Sequence, residues 1–132
     1  GSPDEAAERL GAFGQNVGMA FQIFDDILDL AGAPEVTGKR RGTDLMDGTV
    51  TLPVILALRE EPALRPLLAA ARSEDVVATL CDRLAAHAGL AQARERALGF
   101  VDDARRALEG PLGGADRDAL RLIADSLVDR YA

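Results

Sequence analysis

Cysteine, histidine and the large aromatics are scarce in this sequence: one Cys, one His, one Tyr, two Met and no Trp. Cys81 alone cannot close an internal disulfide, and so few sulfur and imidazole groups exclude a soft-ligand metal cluster. Basic charge is also short. Fifteen Lys and Arg stand against 22 Asp and Glu, a formal charge of -7 that repels a polyanionic backbone and argues against nucleic acid as a partner. The longest unbroken apolar run, Leu52 to Leu58, is far below the ~20 residues of a membrane span, so no transmembrane segment is expected. No succession of charged, apolar and small-residue regions opens the chain, which makes a cytoplasmic protein the expectation.

What is present is a globular composition. Of 132 residues, 48% are hydrophobic and 28% charged, which excludes a disordered chain, and the length allows one domain, residues 1–132 as a single helical region. Ala and Leu dominate the apolar set and favour helix. Ser2-Pro3-Asp4-Glu5 reads equally as a capped helix start and as sequence beside a tag remnant, Gly1-Ser2. From Asp4 to Leu30 the pattern is helical and free of Pro, and Gly32 and Pro34 stop it. Residues 31 to 50 hold five Gly or Pro residues among charges and read as a long connection. Short helices are expected over Thr51 to Arg59 and Pro62 to Arg72. Ser73 caps another to about His87, Gly89 ends it, and helices from Leu90 to Glu109 and from Asp116 to Arg130 complete an all-α fold. In the last one Leu120, Ile123, Leu127 and Tyr131 recur at helical spacing.

The opening helix carries the most information. Residues 17 to 30 are apolar except for Gln22, Asp25, Asp26 and Asp29, whose i, i+3, i+4, i+7 spacing puts them within about one third of the circumference. Gly11, Gly14 and Gly18 lie on or beside the same line, and three helical glycines suggest that something approaches closely there. Two readings stay open for the acidic stripe. It faces solvent while the apolar flanks pack, or it holds a cation, for which the absence of Lys and Arg between Gln15 and Leu30 speaks. Carboxylates without His or Cys select a hard cation, and Mg²⁺ usually takes one or two carboxylates and shares its other positions with water and phosphate. Lys39-Arg40-Arg41 follows between Gly38 and Gly42; it reads as a solvated loop or as charge that closes over an anion.

Phe21-Gln22-Ile23-Phe24-Asp25-Asp26-Ile27-Leu28-Asp29 resembles the second aspartate-rich motif of the trans-isoprenyl (polyprenyl) diphosphate synthases. Gly38-Lys39, Gly42-Thr43-Asp44-Leu45 and Gly48-Thr49-Val50-Thr51-Leu52-Pro53 follow in that family's order, and the helical remainder resembles its C-terminal end. The resemblance implies the helical C-terminal portion of an isoprenoid-synthase-type fold, from an enzyme that joins an allylic diphosphate to isopentenyl diphosphate with Mg²⁺. It implies that Asp25 and Asp26 are metal ligands and Asp29 a ligand or a partner behind them. Lys39 would contact the allylic diphosphate, with Phe21 and Gln22 beside the reacting prenyl end, in a homo-oligomer.

The departures from the family matter too. The first aspartate-rich motif, the basic residues for isopentenyl diphosphate and the residues that set product length have no counterpart here, so this stretch by itself is expected to be inactive. A naturally short, non-catalytic partner subunit of a heteromeric synthase is the competing class. Thr49 stands where many members have Lys, and Val50-Thr51-Leu52-Pro53-Val54 leans towards the longer-chain branch. Elsewhere, Asp102-Asp103 reads as helix surface beside Arg105 and Arg106, His87 as structural, Cys81 as core and Arg130 as an exposed terminal residue.

Overall fold

In a computed structural model the described residues are 3–32, 41–110 and 114–131, and all regular structure among them is helical. Among these described residues seven helices follow in order: α1 (Pro3–Ala31), α2 (Thr43–Asp47), α3 (Leu52–Glu60), α4 (Leu64–Ala69), α5 (Glu74–Ala85), α6 (Ala88–Ala107) and α7 (Gly114–Tyr131). Among the described residues no helix is long and apolar enough to cross a membrane.

Local sequence accounts for most of the boundaries. Pro3 opens α1, with Asp4 and Glu5 in its first turn where the helix dipole favours acid. The extended Thr51 precedes α3, whose first turn contains Pro53. Ser73 Oγ accepts the Val76 N–H at 3.4 Å and caps α5. Two boundaries differ from expectation. The connection after α1 contains a helix of its own, α2, because Gly42 and Gly48 are its two caps, with φ of 77° and 76°. Gly89 does not terminate a helix; it belongs to the first turn of α6. A Cβ there would lie 2.6 Å from the Ala57 nitrogen, so its job is to let two backbones meet.

The chain divides into two compact units, residues 23–95 and residues 1–22 with 96–132. In the first, Phe24, Leu30, Leu64, Leu84 and Cys81 are fully buried. Cys81 is thus core, as its position in the apolar stripe of α5 predicts, and burial pushes its thiol up from the ordinary value while Arg41 acts in the opposite direction. His87 links the turn between α5 and α6 to the end of α3: its Nδ1 accepts the Gly89 N–H at 3.0 Å, and its Nε2 lies 3.2 Å from Glu61 Oε2. Arg83 pairs with the other oxygen of Glu61.

In the other unit Val101 and Leu108 of α6 are fully buried, and Arg105 ties α6 to α7 by an ion pair to Asp125 of 2.6 Å. Asp102 and Asp103 pair with Arg105 and Arg106 one turn on, the surface arrangement that their sequence suggests. On α7 the buried positions are Ala124 and Leu127. Ile123, which helical spacing assigns to the same stripe, is exposed with Leu122. Leu10, Met19 and Phe21 of α1 are exposed as well, so the apolar flanks of this helix are only partly covered. Around Gly11, Gly14 and Gly18 nothing lies within 4 Å of an added Cβ, and the close approach expected there is not made by any described residue.

Candidate functional site

The acidic stripe ends α1 inside the unit formed by residues 23–95. Asp25, Asp26 and Asp29 are all half-buried, while Ile23, Phe24, Ile27 and Leu30 beside them are buried. A helix that presents carboxylates between buried apolar neighbours keeps them in place at little entropic cost, since its backbone is already fixed.

Asp29 is engaged in a way that helix periodicity does not reveal. Its Oδ1 accepts the Thr43 N–H at 3.2 Å and its Oδ2 accepts the Asp44 N–H at 3.1 Å. The Gly42 N–H donates to the Asp29 carbonyl oxygen at 2.7 Å. Gly42, the N-cap of α2, has no side chain to satisfy the first amides of that helix, and Asp29 supplies the missing acceptor from α1. The acidic stripe and the Gly42-Thr43-Asp44 turn are therefore one hydrogen-bonded assembly.

That turn is held from its other side by α5. An added Cβ at Gly42 would stand 2.3 Å from Val77 Cγ1 and 2.9 Å from Cys81 Sγ, so the glycine is needed both for its positive φ and for contact. Arg41 donates through Nη2 to the Ala78 carbonyl at 3.0 Å and to Asp82 Oδ1 at 2.6 Å. The hydrogen bond to Asp82 raises its pKa further, and the guanidinium remains charged. Of the basic run, read either as a solvated loop or as charge that closes over an anion, Arg41 is thus committed to α5. Lys39, with Gly38 and Arg40, lies outside the described residues.

Phe21 and Gln22 belong to the other unit, and both are exposed. The Phe21 ring meets Tyr131 of α7 edge-on, with centroids 6.0 Å apart and planes at 82°, and the Arg130 guanidinium lies 5.3 Å from the Tyr131 centroid. Arg130 is therefore tied into a small aromatic stack, for which its terminal place in the sequence offers no signal.

The donor set can be tested against a metal ion by its chemistry. Among the described residues no three His, Cys, Asp or Glu side chains converge as a ready metal cage. Asp25 and Asp26 offer two carboxylates, which suits Mg²⁺ when phosphate oxygens complete the shell. Asp29 has both oxygens occupied by amides, each retaining a second lone pair.

The family model described as "Polyprenyl synthetase" matches residues 1–84, a stretch that contains the whole aspartate stripe, the Gly42 turn and α5 up to Leu84. The chain belongs to the polyprenyl synthetase family. A nonaprenyl diphosphate synthase of Mycobacterium tuberculosis is 37% identical over 136 aligned residues, covering 99% of this chain and 41% of that protein. The heptaprenyl diphosphate synthase component 2 of Geobacillus stearothermophilus is 47% identical over 76 residues, 58% of this chain and 24% of that one. Among solved structures, a geranylgeranyl pyrophosphate synthase of Corynebacterium glutamicum complexed with calcium and isoprenyl diphosphate aligns with a TM-score of 0.85 at 33% identity, over 100% of this chain and 42% of that one. A decaprenyl diphosphate synthase of Rhodobacter capsulatus gives a TM-score of 0.84 at 30% identity, over 100% and 42%. The all-α fold is thus that of the family's solved members. The chain spans less than half the length of each of these four relatives.

Proposed function

We propose that this chain is the C-terminal part of a Mg²⁺-dependent polyprenyl diphosphate synthase, which condenses an allylic diphosphate with isopentenyl diphosphate. The observation that carries the reading is the Asp25-Asp26 pair standing one turn before an Asp29 that is hydrogen-bonded to the Gly42 turn, within a chain of the polyprenyl synthetase family. Calcium and isoprenyl diphosphate together in the solved Corynebacterium relative support a divalent cation and a diphosphate as ligands.

In this reading Asp25 and Asp26 hold Mg²⁺, which when bound supplies the electrophilic pull that stabilises a departing diphosphate. Asp29 acts chiefly by position: with its oxygens on the Thr43 and Asp44 amides, it fixes the end of α1 against the turn that follows the glycine-rich segment. Lys39 contributes a point charge to the allylic diphosphate, and Phe21 and Gln22 flank the prenyl chain.

A second reading makes the chain a non-catalytic partner in a heteromeric synthase. The similarity to a protein named as a component of heptaprenyl diphosphate synthase supports it. Both readings expect no product from the isolated chain with Mg²⁺, a short allylic diphosphate and labelled isopentenyl diphosphate. Calorimetry separates them. The synthase reading requires Mg²⁺ with inorganic diphosphate to bind more tightly than either alone, and Asp25→Ala with Asp26→Ala to abolish that gain. Equal binding by the wild type and the double variant would favour the partner reading.

A further inference from the structure

Arg41 and Gly42 are consecutive, and each meets its own pair of α5 residues spaced one turn apart. Gly42 stands against the apolar pair, Val77 and Cys81. Arg41 spans the polar pair beside it, its Nη2 donating to the Ala78 carbonyl at 3.0 Å and to Asp82 Oδ1 at 2.6 Å. From the opposite side α1 takes the next amides: Gly42 donates to the Asp29 carbonyl, and Thr43 and Asp44 donate to the Asp29 carboxylate. All of these residues belong to the unit formed by residues 23–95. A five-residue helix with glycine at both caps has little hold of its own on the direction of its first amides, so the guanidinium bridge to α5 is what resists rotation of the turn.

We propose that Asp82, outside the acidic stripe and on a different helix, is a positioning residue for it: through Arg41 it holds the Gly42-Thr43-Asp44 turn where the Thr43 and Asp44 amides orient the Asp29 carboxylate, one turn beyond the Asp25-Asp26 pair. The inference rests on the reading of that pair as a Mg²⁺ and diphosphate site, and it makes the affinity of the site depend on a side chain of α5. The sign of the effect separates position from charge. Removing a carboxylate from a chain of net charge -7 favours an approaching anion, so on charge alone the loss of Asp82 strengthens diphosphate binding. Loss of a positioning contact weakens it. Because the acid of this ion pair is exposed, the effect is a few-fold one rather than a hundredfold one.

The test joins calorimetric titration of the chain with inorganic diphosphate in excess Mg²⁺ to amide exchange of Thr43 and Asp44, read by magnetic resonance without metal. The Asp82 side chain is 75% exposed, so its replacement does not put folding at stake. Asp82→Ala is expected to weaken diphosphate binding about threefold to fivefold and to speed exchange of both amides by a similar factor. The amide of Val101, in the other unit, should exchange as before. Asp82→Asn keeps an oxygen acceptor for the guanidinium and should retain most of the affinity. Glu61→Gln alters a comparable partner, that of Arg83, and should leave binding unchanged. Tighter or unchanged binding by Asp82→Ala overturns the proposal, and so does unchanged exchange of the two amides. An equal loss in Glu61→Gln reduces the effect to general destabilisation and overturns it too. The two readings fail differently: a wild type that does not bind diphosphate with Mg²⁺ removes the aspartate-pair site and this inference with it, whereas a wild type and an Asp82→Ala variant that bind alike remove this inference alone.

Discussion

The carboxylate of Asp29 accepts the amide of Asp44 at 3.1 Å across 15 residues of sequence, and its other oxygen accepts Thr43. An aspartate of the acidic stripe on α1 is therefore also the cap of a different helix. The five-residue α2 is far too short to persist by its own propensity, so it depends on this acceptor and on the two left-handed glycines that bound it.

Replacing Asp29 should accordingly cost stability as well as ligand affinity. Asp29→Ala is expected to lower stability by about 1–2 kcal/mol, the usual range for loss of a capping side chain, and Asp29→Asn by less, because one oxygen acceptor remains. Urea unfolding measures both, with Asp25→Ala as the comparison. Equal midpoints for Asp29→Ala and Asp25→Ala would mean that the two amide bonds contribute nothing.

How much of this was legible in the sequence depends on how far the relevant contact reaches along the chain. The limits of α1 were legible because apolar spacing, Pro3 and Gly32 act within a few residues. Both α2 and the capping role of Asp29 were hidden, since Gly42 and Gly48 have the same composition whether they break a helix or cap one, and the acceptor comes from another element. Gly89 misled for a related reason: its neighbour is Ala57, 32 positions earlier. The exposure of Ile123 on α7 likewise follows from tertiary placement, which a helical period alone does not contain.

The glycines divide into two classes that substitution should separate. Gly42→Ala meets both a positive φ and Val77 Cγ1 at 2.3 Å, and Gly89→Ala meets the Ala57 backbone nitrogen at 2.6 Å. Each should cost about 2–4 kcal/mol through strain and overpacking. Gly14→Ala meets nothing within 4 Å in a helix interior and should gain up to about 1 kcal/mol. Thermal melts followed by circular dichroism rank the three, and a stabilised Gly42→Ala would contradict the packing of the turn against α5.

Cys81 predicts an alkaline dependence. Burial holds its folded thiol above the ordinary value of 9.0, with Arg41 offsetting this only in part. Its contribution to stability is fully present below that ordinary value and is lost as pH rises through the folded one, because the unfolded chain gives up the proton first. Between pH 8 and pH 10 the wild type should lose more stability than Cys81→Ala, which carries no thiol. Parallel loss in both, read from urea midpoints, would remove the thiol as the cause.

Self-association is expected through the unit of residues 1–22 and 96–132, where Leu10, Met19, Phe21, Leu122 and Ile123 are between 42% and 67% exposed. Exposed apolar groups of this size gain from burial in a partner copy. Light scattering over a concentration series should show mass rising above that of one chain, and Leu122→Glu with Ile123→Glu should reduce the effect. A strictly monomeric wild type at high micromolar concentration would show that these side chains do not drive association.

The sequence contains a single histidine, and that residue occupies a structural junction. With Nδ1 accepting from Gly89, the ring hydrogen belongs on Nε2 and points to Glu61, which also receives Arg83. The ends of α3 and α5 and the start of α6 therefore converge on one imidazole. In a magnetic resonance spectrum the ring of the single histidine is a native reporter of that junction: its carbon-bound protons register a loosening of the joint.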